Sequence, residues 1–269
     1  NKYDFLVASK RMQKFADIAK QHAKLYKIKN ILLAITGDLM NSDRRLDELL
    51  QMSTNRAKAT FLSVNLLTHF INDLNTIGNV NIACVTGNES RVKDDIGWID
   101  ATASDNYDFT IYEMLRLLYN EKKGVTFLEC GLEVVVKVSD KNVLLIHGHQ
   151  LKGLNDTSVA KLISKYSNKG IKIDFVICGH KHHCIIGDFY AQAGSTVGAN
   201  SYSDNALNLS SRASQNLYMF TDDSRHDLRV DLQNYDSHQG YDINMKLAEY
   251  NAKSLLKTQK KKTVFEIVI

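Results

Sequence analysis

The sequence predicts an α/β domain with at least two β-sheets. Three observations carry that reading. Segments with apolar residues at a 3.6-residue period alternate with short continuous apolar runs, the pattern of helices packed on buried strands. Four of those runs stop in a glycine-containing turn. Beyond residue 120 strands dominate.

The elements follow in order. Residues 8–27 place Met12, Phe15, Ile18, Ala19 and Leu25 on one face with Lys and Gln between them, which predicts an amphipathic helix. Residues 31–36, closed by Gly37, read as a strand buried on both faces. A long helical stretch from Asp43 to about Leu74 follows, with Ser42 or Asp43 as its N-cap. Val80–Thr86 is a second buried strand, closed by Gly87, and Tyr107–Tyr119 is helical. Strands are expected at 125–128, 132–138 and 142–147, a helix at 157–167 and a strand at 173–178. Short strands follow near 184–189, 217–221 and 228–232. Segment 194–216, rich in Gly, Ser and Asn, reads as a long functional loop. The chain closes on Lys260–Lys262, a charged turn, and a strand from Thr263 to Ile269.

Composition limits the function. With 269 residues, 44% hydrophobic and 24% charged, the chain is long enough to bury a core and is not disordered. No apolar run reaches the ~18 residues of a membrane helix, and Asn1–Lys10 has no basic stretch leading into an apolar one, so neither a span nor a signal peptide is read. The net charge of +4 permits a phosphate-rich partner without demanding one. Cys84, Cys130, Cys178 and Cys184 are scattered, mostly in strand-like runs, and read as reduced thiols of a cytoplasmic protein; Cys178 and Cys184 flank a histidine cluster, so a soft-metal role stays open. Proline is absent, where about 5% is usual, which an AT-rich coding sequence or a viral origin would produce.

The chemistry gathers at four strand ends: Thr36-Gly37-Asp38, Thr86-Gly87-Asn88-Glu89, His147-Gly148-His149 and Gly179-His180-Lys181-His182. Sites in open α/β sheets form beyond the carboxyl ends of strands, so Asp38, Asn88, His147, His180 and His182 are expected to converge. Five of the nine histidines, 147, 149, 180, 182 and 183, fall between residues 147 and 183, where even spacing would place about one. Imidazole, carboxylate and an amide oxygen without thiolate suit Mn, Fe, Zn or Ni. A bridging Asp with several His invites two ions about 3.5–4 Å apart, which would clamp phosphate oxygens and acidify a shared water.

This ordered series, followed by Ala193-Gly194-Ser195, resembles the calcineurin-like metallophosphoesterases over about residues 30–200. The resemblance implies a four-layer α/β/β/α sandwich of two mixed β-sheets, one domain over 1–269 and a dinuclear metal centre with manganese the first choice. It implies that Asp38 bridges both ions, that Asn88, His147 and His180 complete one, and that His182 binds the other. His149 would stand behind the ligands or unliganded, and His183 would be structural or at the surface. Two departures stand out. The family's Asp-x-His motif, expected ahead of Gly37-Asp38, is not found; Asp4-Phe5-Leu6 lacks the histidine, and the expectation is that the motif precedes Asn1. In the Gly-Asn-His motif the histidine that would act as general acid is Glu89. Glu89 would serve as acid only if its surroundings kept it protonated; Arg91 would neutralise phosphate charge, or the two would form a structural ion pair.

Weaker candidates are Arg44 and Arg45, either at a phosphodiester or on a solvated helix face, and Arg212 as a phosphate contact in a substrate-facing loop at 194–216. Lys260–Lys262 reads as a solvated turn, and Trp98 and Tyr107 as core rather than base-stacking platforms. The function expected is a metal-dependent phosphodiesterase or nuclease, similar to the phage-type and DNA-repair exonuclease members of the family, acting on DNA or nucleotides and on no membrane. The alternatives are a phosphomonoesterase on protein or a small molecule, and a degenerate relative that binds without hydrolysis.

Overall fold

A computed structural model describes residues 3–44, 46–92, 101–151, 153–199, 210–221, 224–243 and 246. Helix α1 (Phe5–Leu25) starts earlier than its apolar period suggests, because the Asp4 side chain accepts from Val7 N at 2.9 Å and caps the free N–H groups of the first turn. Strand β1 (Asn30–Ile35) follows. The single helix expected from Asp43 to Leu74 is two: α2 (Leu46–Gln51) and α3 (Arg56–Asn75). Asn55 makes the break. Its side chain accepts from Lys58 N at 3.0 Å and starts a new helix instead of continuing the old one. Ser42 and Asp43 therefore do other work: the Ser42 hydroxyl accepts from Arg44 N, and Asp43 pairs with Arg56 at 2.9 Å.

The chain continues through β2 (Asn79–Cys84), α4 (Ala101–Ser104), α5 (Tyr107–Leu118), β3 (Val125–Phe127), β4 (Glu133–Val138), β5 (Lys141–Ile146) and α6 (Asp156–Ser167). Then come β6 (Phe175–Cys178), β7 (Ile185–Ile186), β8 (Tyr190–Gln192), β9 (Ser214–Phe220) and β10 (Arg225–Asp231). The run expected as one strand at 184–189 is the short antiparallel pair β7–β8, and the expected 194–216 loop cedes its end to β9. Arg45, Trp98, residues 200–209 and the expected 263–269 strand with Lys260–Lys262 lie outside the described residues.

One sheet has the order β1-β2-β3, its described strands all parallel; the other is mixed, in the order β4-β5-β6-β8-β7, and β9 and β10 form a hairpin. Alternation along the strands stacks the layers. In β2, Val80, Ile82 and Cys84 face α1, α3 and α5, meeting Ala16, Phe70, Ile71 and Leu115. Ala83 and Val85 face the opposite way, onto Val143, Leu145, Phe175 and Ile177 of the second sheet. On the far side of that sheet, Leu144, Ile146, Val176 and Cys178 pack against Val159, Leu162 and Tyr166 of α6. The fold is thus a four-layer α/β/β/α sandwich. The hairpin seals one side: Tyr218 and Phe220 join the core between the sheets, while Leu217 and Leu228 pack toward Phe15 and Ile18 of α1.

All four thiols are free, with Cys84 and Cys178 buried and Cys130 and Cys184 half-buried. Burial pushes the Cys130 and Cys178 thiols up to about 12. Among the described residues no helix is long and apolar enough to cross a membrane.

Candidate metal centre

The loops after β1, β2, β5 and β6 meet at one end of the sandwich because glycine lets them touch. A Cβ on Gly37 would lie 2.4 Å from Gly87 N, and one on Gly87 would lie 2.1 Å from Asp38 Oδ1. The two ligand loops of the first sheet therefore interlock backbone to backbone. Gly179 does the same across the sheets, where a Cβ would meet Thr36 Oγ1 at 2.8 Å. Asp38, His180 and His182 take φ values of 57°, 71° and 62°. Side chains rarely adopt this left-handed backbone, and it persists where surrounding contacts hold it, often at functional sites.

His147 is the hub. Its ring is fully buried. Nδ1 lies 2.6 Å from the Thr36 carbonyl oxygen. A carbonyl only accepts, so Nδ1 carries the proton, and the neutral ring presents a bare Nε2 lone pair. That Nε2 lies 3.0 Å from Asn88 Oδ1 and 3.0 Å from Asp38 Oδ2. Asn88 is oriented by its neighbour, since its Nδ2 donates to Glu89 Oε1. Asp38 Oδ1 accepts from Glu89 N at 2.8 Å, whereas its buried Oδ2 receives no hydrogen bond. Three lone pairs thus converge with no donor between them, which is the donor set a divalent cation takes.

Asp38, His147 and His180 each offer a ligand atom within 4.8 Å of the others. The His147 and His180 rings lie 5.2 Å apart, and His149 stands behind them, 5.3 Å from His147 and 6.3 Å from His180. Burial, reinforced by the charge on His147, lowers His149 and His180 to about 4, so these two imidazoles are neutral at pH 7; the exposed His182 is lowered as well. Burial alone would disfavour the charged forms of Asp38 and His147, but their mutual attraction outweighs it. Asp38 stays below the usual carboxylate range and His147 above the usual imidazole range. His182 lies outside the cluster of three.

The other expected residues are placed as follows. Glu89 pairs with Arg44 at 2.7 Å, not with Arg91, and both its carboxylate oxygens accept hydrogen bonds. Of the two roles open to it, general acid or structural ion pair, these contacts form an ion pair with Arg44 in place of Arg91, while Oε1 accepts from Asn88. Arg44, expected either at a phosphodiester or on a solvated helix face, lies ahead of α2 and turns back to Glu89. Arg91 Nε donates to the Asn88 carbonyl oxygen at 2.9 Å. Arg212 is exposed and bound to Asp231 at 2.5 Å, so a phosphate there would compete with a carboxylate. His183 is exposed. The 195–199 part of the expected substrate-facing loop is anchored: buried Arg11 donates to the carbonyls of Thr196 (2.6 Å) and Val197 (2.9 Å), and Ser195 N donates to His182 O.

Sequence reasoning missed three residues behind the ligands: Asp108, Asn106 and Arg56. Asn106 caps α5 and also donates from Nδ2 to Gly87 O at 2.9 Å. Buried Arg56 donates to the carbonyls of Glu89 and Arg91 and stacks on Tyr107, 4.4 Å from the ring centre. The available signal was the Asn-x-Asp pattern at a helix start, Asn106-Tyr107-Asp108.

No family model and no curated protein matches this chain. Solved structures with some likeness include Entamoeba histolytica Vps29 complexed with zinc (19% identity, TM-score 0.38, 75% of this chain and 98% of that one). Others are a predicted phosphoesterase from Streptococcus pneumoniae (10% identity, TM-score 0.37, 79% and 92%) and Chaetomium thermophilum Vps29 (15% identity, TM-score 0.34, 74% and 97%). The fold described above rests on this chain's own strand order and core.

Proposed function

We propose that this chain is a metal-dependent phosphoesterase of the calcineurin-like kind, acting on phosphodiesters in DNA or nucleotides. The observation that carries the reading is that His147 Nε2 lies 3.0 Å from both Asp38 Oδ2 and Asn88 Oδ1, with Asp38 Oδ2 buried and given no hydrogen bond, and with His180 in the same cluster. Asp38, Asn88, His147 and His180 would hold one divalent ion, and Asp38 with His182 would contribute to a second; manganese is the first choice for this oxygen and nitrogen set. When bound, such ions supply a Lewis acid for phosphoryl oxygens and a water of lowered pKa. The chain's own residues do the rest. Thr36 O fixes the His147 tautomer, Glu89 aims Asn88, and the neutral imidazoles of His149 and His180 keep the site from adding positive charge of its own. Arg91, beside Asn88, is the nearest candidate to balance phosphate charge, with Arg212 a more remote one.

The test is metal analysis joined to hydrolysis of bis(p-nitrophenyl) phosphate and p-nitrophenyl phosphate. Manganese-stimulated diesterase activity, lost in Asp38→Ala and His147→Ala, is expected. Turnover of Asp38→Ala at the wild-type rate refutes the assignment, and preference for the monoester moves the substrate class. A second reading draws on Glu89, whose carboxylate is occupied where a proton donor would stand: a protein that binds metal and a phosphorylated partner without turnover. Metal uptake with no hydrolysis of either compound would select it.

A further inference from the structure

We propose that Asp108 is a positioning residue for the metal centre, a buried carboxyl that locks the Asp38 and Asn88 loops together. The inference rests on the metal-centre reading above.

Asp108 is fully buried at the start of α5. Its Oδ2 accepts from Asp38 N at 2.8 Å and from Gly87 N at 2.9 Å, and its Oδ1 accepts from Leu39 N at 2.9 Å. Those N–H groups belong to loops that leave two different strands. Asp38 needs such a hold, because its left-handed backbone is maintained only by contacts around it. Asn106 completes the grip by accepting from Asp108 N and donating to Gly87 O, so the two polar groups of Gly87 are both claimed by the same helix start. Three donors require two acceptor oxygens. An asparagine has one, so the position calls for a carboxylate. Burial and the neighbouring Asp38 charge push this carboxyl above the usual carboxylate range while the N–H groups of Gly87 and Leu39 oppose the rise, so its hold on the ligand loops is carried by these hydrogen bonds, one residue behind a ligand.

The experiment titrates Mn2+ into metal-free wild type, Asp108→Asn and Tyr112→Phe by calorimetry, with folding followed by circular dichroism. Tyr112→Phe removes a hydrogen bond from the same helix to Val85 O and controls for general loosening. Asp108→Asn is expected to bind Mn2+ about 10–100-fold more weakly, the cost typical of removing a partner behind a ligand, and Tyr112→Phe within twofold of wild type. Affinity in Asp108→Asn within twofold of wild type, or an equal loss in Tyr112→Phe, overturns the proposal. If Asp108→Asn does not fold, Asn106→Ser serves, since serine keeps a cap and drops the Gly87 bond. A smaller loss of affinity is expected there, and none overturns the proposal. A wild-type chain that takes up no Mn2+ overturns the centre and this inference together; uptake with unaffected variants overturns this inference alone.

Discussion

His147 Nε2 lies 3.0 Å from Asp38 Oδ2, although Nδ1 of the same ring already gives its proton to Thr36 O. Two acceptors held that close repel each other unless a cation or a second proton lies between them. The attraction between a charged His147 and Asp38 raises His147 and lowers Asp38, which favours a proton in that place. Metal and proton compete for one place, and several measurable consequences come from that competition.

Loading the centre should stabilise the fold. A ligand at 100 times its Kd adds about 2.7 kcal/mol. Mn2+ should raise the urea midpoint at pH 7.5, and a chelator should reverse the rise. Asp38→Asn should abolish the response, because it removes the charge and presents an amide where Oδ2 stood. A metal-induced shift of wild-type size in Asp38→Asn would place the ion elsewhere.

Acid should destabilise the metal-free chain. His149 and His180 titrate near 4 in the fold against 6.5 when unfolded. The unfolded chain therefore binds more protons between those values, and stability falls as pH drops from about 6.5 to about 4. His147, whose folded value is raised, gives a contribution that is fully present below 6.5 and fades only as pH rises through the folded value, so it lies outside this window. Urea midpoints at pH 7 and 4.5 check the drop, and His149→Gln should make it shallower.

Glu89→Gln separates two roles. As the partner that aims Asn88, Glu89 can be replaced by an amide oxygen at the cost of the Arg44 ion pair. A drop in kcat of about 10-fold or less is expected, the low end for a partner behind a ligand, with the pH–rate profile keeping its shape. Loss of the alkaline limb would restore the general-acid role.

Gly87→Ala should break the interlock of the ligand loops. Its Cβ would sit 2.4 Å from Asp38 N and 2.1 Å from Asp38 Oδ1. Metal affinity and stability should both fall sharply. Gly170→Ala is the contrast: with φ +76° and nothing within 4 Å, it bears only the left-handed strain of about 1–2 kcal/mol, and Mn2+ titration should show unchanged affinity.

Much of this was legible in the sequence. Continuous apolar runs such as Val143–Ile146 mark strands covered on both faces, and the glycine that ends each run marks where a loop turns back over the sheet. Candidates clustered at those ends were read residue by residue, and the structure brings Asp38, Asn88, His147 and His180 together. The break at Asn55 was hidden, because the helical period runs across it and only the local cap favours a restart. Asp108 was hidden for another reason: a polar residue in a first helical turn reads as a cap residue, and nothing local reveals that its acceptors serve loops 21 and 70 residues away.

The chain by itself determined the α/β class and the kinds of ligand, since period, apolar runs and residue types are local properties set by steric preference and burial; the four layers were implied by the family resemblance. Tertiary structure alone decided who holds whom: that Glu89 turns to Arg44 and Asn88, that His147 presents Nε2 and not Nδ1, and that Asp108 braces two loops. Those choices depend on which donors and acceptors meet once distant strand ends are pressed together, and a buried polar group takes whichever partner the packing leaves within reach.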